Sequence, residues 1–125
     1  MAKYVRSTIA HGRVTAINVE RAKKLDGVHA VFTFEDVPEN KFATAGHPMT
    51  LTEEHKDVKD RLLLTRNVRF MGDEIAIVLA ENELVANAAI KLIQISYDAY
   101  QPLILPEDIL EENARQIHEG SSNLC

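Results

Sequence analysis

Apolar and polar positions follow their most regular pattern in residues 68–103, VRFMGDEIAIVLAENELVANAAIKLIQISYDAYQPL, which reads as strand, helix, strand. Residues 75–80 form an unbroken apolar run without Gly or Pro, the signature of a strand covered on both faces, and this run is expected to be the central strand. Asn82 offers a side-chain oxygen to the unpaired N–H groups of a helix start. Leu84, Val85, Ala88, Ala89 and Leu92 recur behind it at helical spacing, which turns Ala88 toward the central strand and Lys91 toward water. Ile93, Ile95 and Tyr97 then alternate with Gln94, Ser96 and Asp98, the period of a half-buried strand that ends at the turn before Pro102.

The same layout occurs earlier. Residues 13–19 read as a strand, Asn18 can cap a short helix over residues 19–25 that stops at Gly27, and residues 28–34 form a second strand. The helix is too short to stand alone and must hold by packing Ala22 and Leu25 inward, with Arg21, Lys23 and Lys24 in water. In the following strand Val28, Ala30, Phe32 and Phe34 share one face, and His29, Val31 and Thr33 the other. The two units share a layout, but their residues do not match as an internal repeat.

From Glu35 the periodicity breaks, and residues 39–60, with Gly46 and Pro48, form a long surface loop of the kind used for binding or as a lid. Thr52 can cap one exposed helical turn there. Leu62, Leu63 and Leu64 return the chain to the core, Gly72 and Asp73 turn it into the central strand, and residues 106–110 form a short helix with Pro at its first turn. Residues 111–125 are a polar tail whose large apolar residues are Ile117 and Leu124, expected to be extended or frayed unless something holds it. The sum is one α+β domain over residues 1–125: two strand-helix-strand units forming a mixed sheet with helices packed on it.

Composition narrows the function classes. A chain of 125 residues, 46% hydrophobic and 26% charged, has the makeup of one folded globular domain. A net charge of -5 argues against nucleic acid as a partner, and the adjacent Lys23 and Lys24 are balanced by Glu20. No apolar run approaches a membrane span and no secretory signal opens the chain, so a cytoplasmic location is expected. One cysteine, Cys125, excludes an internal disulfide and any cysteine-based cluster within the chain.

Candidate chemistry is sparse. The five histidines, His11, His29, His47, His55 and His118, include no pair at the i, i+4 spacing of a helical metal site. His47, Glu53, Glu54 and His55 are the best metal-ligating cluster, although a solvated charged loop accounts for the same residues. Ser7 and His11 could form a nucleophile and base, but no acidic orienter or oxyanion-hole glycine accompanies them. No glycine-rich turn precedes the Asn82 helix, which leaves no phosphate cradle, and Glu81 and Glu83 have an ordinary place beside a helix N-terminus. No catalytic, cofactor-binding or metal residue is assigned.

The segment VRFMGDEIAIVLAENELVANAAIKLIQISYDAYQPLILPEDIL resembles the large subunits of molybdenum hydroxylases, the xanthine dehydrogenase and aldehyde oxidase family. RSTIAHGRVTAINVERAKKLDGVHAVFTFEDVP, residues 6–38, looks like that family's opening strand, helix end and "DVP" turn. Ile117, His118, Glu119 and Asn123 resemble the lead into its next domain, so the likeness runs over residues 4–124. It implies the α/β hammerhead fold and a scaffold role within a longer chain. It also implies a parent enzyme that hydroxylates purines, aldehydes or N-heterocycles at a molybdenum pterin centre, with iron-sulfur clusters and FAD in other domains or subunits. No position here matches the family's cofactor ligands or its essential glutamate. The implied partners are the downstream molybdenum-binding domains and the iron-sulfur and flavin subunits or domains. A free-standing binding or adaptor protein that reuses the fold is the alternative. Cut from its neighbours, the domain is expected to expose apolar surface around Phe42, Met49, Leu51, Ile117 and Leu124, and to be partly a homodimer or to carry a mobile loop.

Overall fold

The structure, a computed structural model, describes residues 1–43, 59–111 and 113–117. In chain order it contains β1 (Ala2–Arg6), β2 (Gly12–Asn18), α1 (Glu20–Lys23), β3 (Val28–Thr33), β4 (Asn67–Val68), β5 (Glu74–Ala80), α2 (Glu83–Leu92) and β6 (Gln94–Ala99), followed by a 3-10 turn at Pro106–Leu110. The expected α+β class is observed, and the apolar run is the middle strand of its sheet, flanked by β1 and β3. Strand β1 has too short a pattern to be read from sequence.

The single mixed sheet is corrected. There are two three-stranded sheets, β1-β5-β3 and β4-β2-β6, and every pairing is antiparallel. Each strand-helix-strand unit divides its strands between them: β2 pairs with β6 of the other unit, and β3 with β5, while α1 packs on α2. A parallel pair needs a crossover of about a dozen residues or more, and α1 has 4. So short a link drops the chain onto the second sheet instead of returning it to the first.

Helix α2 starts as expected, with the Asn82 side chain accepting from the Val85 N–H at 3.0 Å. Its phase is corrected. Ala86 and Ala89 are fully buried, with Val85, Ile90, Leu92 and Ile93 packed around them, whereas Leu84 is 82% exposed and Ala88 is also exposed. Moving the stripe by one residue rotates it by about 100°. The pattern weighted Leu84 for its size, but the structure places small alanines where α2 approaches Ala76, Val78 and Ala80 of β5 and Ala22 of α1.

A bulge corrects β3 as well. The register with β5 shifts between Val28 and Ala30, so the alternation inverts: Val31 and Thr33 are buried and Phe32 faces out. A second shift, between Val5 and Arg6, leaves Ile75 of β5 as the extra residue, and Ile75 packs with Val14 and Val68 of the other sheet. Gly12 lets β2 approach β6: a Cβ there would lie 2.4 Å from the Asp98 carbonyl oxygen. Gly27, at φ +84°, makes the left-handed turn from α1 into β3.

Candidate functional site

The helices cover one face of the β5 sheet with an apolar core, and the polar structure gathers around the start of β5. Here Arg61 brings the chain back from the long loop. Its backbone exchanges hydrogen bonds with Phe42 at 2.9 and 3.1 Å. Its guanidinium donates to Asp73 at 3.0 Å and to Glu74 at 2.8 Å, and lies 4.9 Å from the centre of the Phe70 ring. Asp73 is 1% exposed and also accepts from the Arg69 N–H at 3.1 Å. A carboxylate taken so fully from water needs this paired, hydrogen-bonded setting. Arg69 in turn donates to Asp60 at 3.2 Å. None of these partners could be read locally, because Arg61 and Asp73 are 12 residues apart and meet only through the fold.

Clefts of ligand size open at this end, two of them lined by described residues. One of about 430 Å³ lies between Phe34, Glu35, Pro38, Leu62 and Arg66. The other, of about 470 Å³, is lined by His11, Arg13, Arg69, Tyr100, Arg115 and Ile117. Arg115 lies 3.6 Å over the Tyr100 ring, which stands perpendicular to the His11 ring with ring centres 5.4 Å apart. Arg115 is therefore a contact that holds residues 113–117 of the tail on the domain.

Ser7 and His11 are both buried, but the fold employs them separately. The Ser7 hydroxyl donates to the Ile9 carbonyl at 2.7 Å, and His11 Nδ1 contacts the Gln101 carbonyl at 3.3 Å, so no nucleophile and base pair forms. His29 is exposed at the β3 bulge. The cluster of His47, Glu53, Glu54 and His55 lies outside the described residues, as do His118, Met49, Leu51, Leu124 and Cys125. Among the described residues no group of three or more His, Cys, Asp or Glu could hold a metal, and no helix is long and apolar enough to cross a membrane. Phe42 and Ile117 are 42% and 37% exposed.

Three carboxylates, of Asp36, Glu83 and Asp108, are held below their usual range. The backbone N–H and the hydroxyl of Thr33 donate to Asp36 at 2.7 and 2.9 Å, and the Leu105 and Ile104 N–H groups donate to Asp108, each at 2.9 Å. Glu83 is lowered by its hydrogen bond from Lys3 at 2.8 Å, a tie from α2 to β1 beyond any helix-dipole effect. All three fasten turns or elements rather than aim into a cleft.

Comparison with known proteins assigns the fold where the residues alone assign no chemistry. Residues 1–101 match the family model described as "Aldehyde oxidase and xanthine dehydrogenase, a/b hammerhead domain". The chain is 51% identical over 123 residues to the "Xanthine dehydrogenase molybdenum-binding subunit" of Escherichia coli O157:H7, covering 98% of this chain and 16% of that protein. It is 35% identical over 116 residues to the "Carbon monoxide dehydrogenase large chain" of Hydrogenophaga pseudoflava, covering 92% of this chain and 13% of that one. The aldehyde oxidoreductase from Desulfovibrio gigas superposes with a TM-score of 0.79 at 28% identity, over 98% of this chain and 13% of that chain. The chain thus spans less than one fifth of the length of the curated relatives it matches here.

Proposed function

The chain belongs to the α/β hammerhead domain family of aldehyde oxidases and xanthine dehydrogenases, and from that premise we propose that residues 1–125 serve as one structural domain of a longer molybdenum-binding subunit. The parent enzyme is of the xanthine dehydrogenase type and oxidatively hydroxylates purines, aldehydes or N-heterocycles in the cytoplasm. The observation that carries this reading is the 51% identity to a subunit named as the molybdenum-binding subunit of a xanthine dehydrogenase. The adaptor reading is not favoured, since the relatives named above belong to larger oxidoreductases.

The family implies a molybdenum pterin, iron-sulfur clusters and FAD, and the donors of this chain do not fit them. A cluster is held by about four cysteine thiolates, whereas the chain has 1 cysteine. The described residues offer no group of three or more His, Cys, Asp or Glu that could hold a metal, and at the polar end Arg61 and Arg69 are turned to Asp73, Glu74 and Asp60 while Arg66 and Arg115 stack on Phe34 and Tyr100. No residue of this chain is given a step in the oxidation; its part is to fold and to dock on the domains and subunits that carry those groups.

The test is made on the protein purified from its own source. A polypeptide several-fold longer than 125 residues, carrying molybdenum and oxidising hypoxanthine or an aldehyde, is the expected result. Residues 1–125 alone are expected to bind no stoichiometric molybdenum, iron or flavin. A native polypeptide of this length, or about one metal per isolated domain, overturns the reading.

A further inference from the structure

The β5 sheet has an apolar row on the face that turns away from the helices. Register sets Tyr4 of β1 opposite Ile77 of β5, and Ile77 opposite Phe32 of β3; the next row is Ala2, Leu79 and Ala30. The opposite face of β1 carries Val5 into the core and Lys3 to Glu83 of α2, so Tyr4 points outward. Tyr4 and Phe32 are each 39% exposed, and neither they nor Ile77 and Leu79 belong to a core cluster of the described residues. These six positions include no charge and no polar group other than the Tyr4 hydroxyl. The outer face of the β2 sheet is ordinary by contrast: Arg13 faces Asp98, Ala16 faces Ser96 and Asn18 faces Gln94, all exposed.

We propose that the outer face of the β5 sheet is an interface, covered in the whole protein by an apolar surface that the same polypeptide supplies beyond residue 125. This rests on the longer-subunit reading given above. Antiparallel sheets commonly keep one face wet, and such a face selects polar side chains, as the β2 sheet shows. An aromatic and aliphatic grid on the equivalent face of the other sheet fits a dry neighbour. The occupant is argued from length. In the two relatives this unit is 16% and 13% of the protein, and in the superposed aldehyde oxidoreductase it is 13% of the chain, so most of each polypeptide lies outside it. An exposed aromatic row beside so much attached chain is met at high effective concentration, which favours a covering in cis over a second copy.

The test places a photoreactive benzophenone amino acid at position 32 of the natural full-length protein, with a second variant at position 4 and a control at position 96. Irradiation is expected to tie positions 32 and 4 to peptides beyond residue 125 of the same polypeptide, several-fold more often than position 96. A tie that doubles the mass, one that reaches a separate polypeptide, one confined to residues 1–125, or equal yields at 32 and 96 overturns the proposal. If the position-32 variant does not accumulate, position 4 decides the outcome in the same way. Intact mass separates the two failures: a long polypeptide without the tie defeats only this inference, whereas a native chain of 125 residues defeats the longer-subunit reading itself.

Discussion

The two sheets are built alike: three strands each, antiparallel throughout, with one strand from each strand-helix-strand unit at the heart of the pairing. Their outer faces differ in kind. Around β2 the outward residues are Arg13, Asn18, Gln94, Ser96 and Asp98, which water satisfies. Around β5 they are Tyr4, Phe32, Ile77 and Leu79, which water does not. Since pairing and strand number are common to both, backbone geometry does not explain the contrast. What differs is the medium each face meets, so the outer row of a sheet records its surroundings as well as its fold.

The largest expected effect lies on the inner side of the β5 sheet. Ala89→Arg forces an unpaired charge between α2 and β5 and is expected to cost more than about 4 kcal/mol, whereas Ala88→Arg, one residue away, stays within about 0.5 kcal/mol. Urea denaturation showing equal losses breaks the assignment of inner and outer faces. Next comes the β2 sheet, where Gly12→Ala sets a methyl group 2.4 Å from the Asp98 carbonyl oxygen. The clash is with backbone, so β2 and β6 must part, at a cost of about 2 kcal/mol read as a lowered Tm. A Tm unchanged from the parent means the close approach of β2 to β6 is not required.

Smaller still is the outer face itself. In residues 1–125, Phe32→Ser is expected to cost less than about 1 kcal/mol because the ring is already 39% exposed. The same change is expected to reduce self-association in sedimentation, and Ser96→Phe to introduce it on the other sheet. No change in either variant places the association elsewhere, with Phe42 the next residue to replace. The least effect is expected at Asp36, whose carboxyl is held low by two hydrogen bonds from Thr33. A depressed carboxylate contributes its stability above its unfolded pKa and loses it as pH falls through the folded one. Asp36→Asn should therefore lower stability slightly at neutral pH and flatten the loss between about pH 5 and about pH 3. An identical acid limb in both proteins contradicts that.

Much of the fold was legible because its strands carry strong patterns. The run at β5, the Asn82 cap, the alternation of β6 and the stop at Gly27 are local signals, and each stands where the pattern put it. The errors of facing have one cause, since neighbours distant in sequence decide a face. Leu84 and Ala88 look like core until β5 and α1 choose Ala86 and Ala89, and Phe32 looks buried until the β3 bulge turns it out. The ion pair of Arg61 and Asp73 left no mark, because nothing near either residue shows that the long loop returns there. The site was less legible than the fold for a physical reason: Ser7 and His11 are each satisfied by backbone carbonyls, and the apolar face of the β5 sheet consists of residues that perform no chemistry.

The claim that the β5 sheet has a covered outer face is tested most directly by hydroxyl-radical footprinting of Tyr4 and Phe32, in residues 1–125 and in the natural full-length protein. Both rings are expected to react readily in the isolated domain at a dilution where it is monomeric, since each is 39% exposed in the single chain, and to be several-fold protected in the whole protein, while the exposed loop ring Phe70 reacts in the isolated domain as an internal standard. Equal reactivity of Tyr4 and Phe32 in the two forms contradicts the account, because the apolar row would then face water in both.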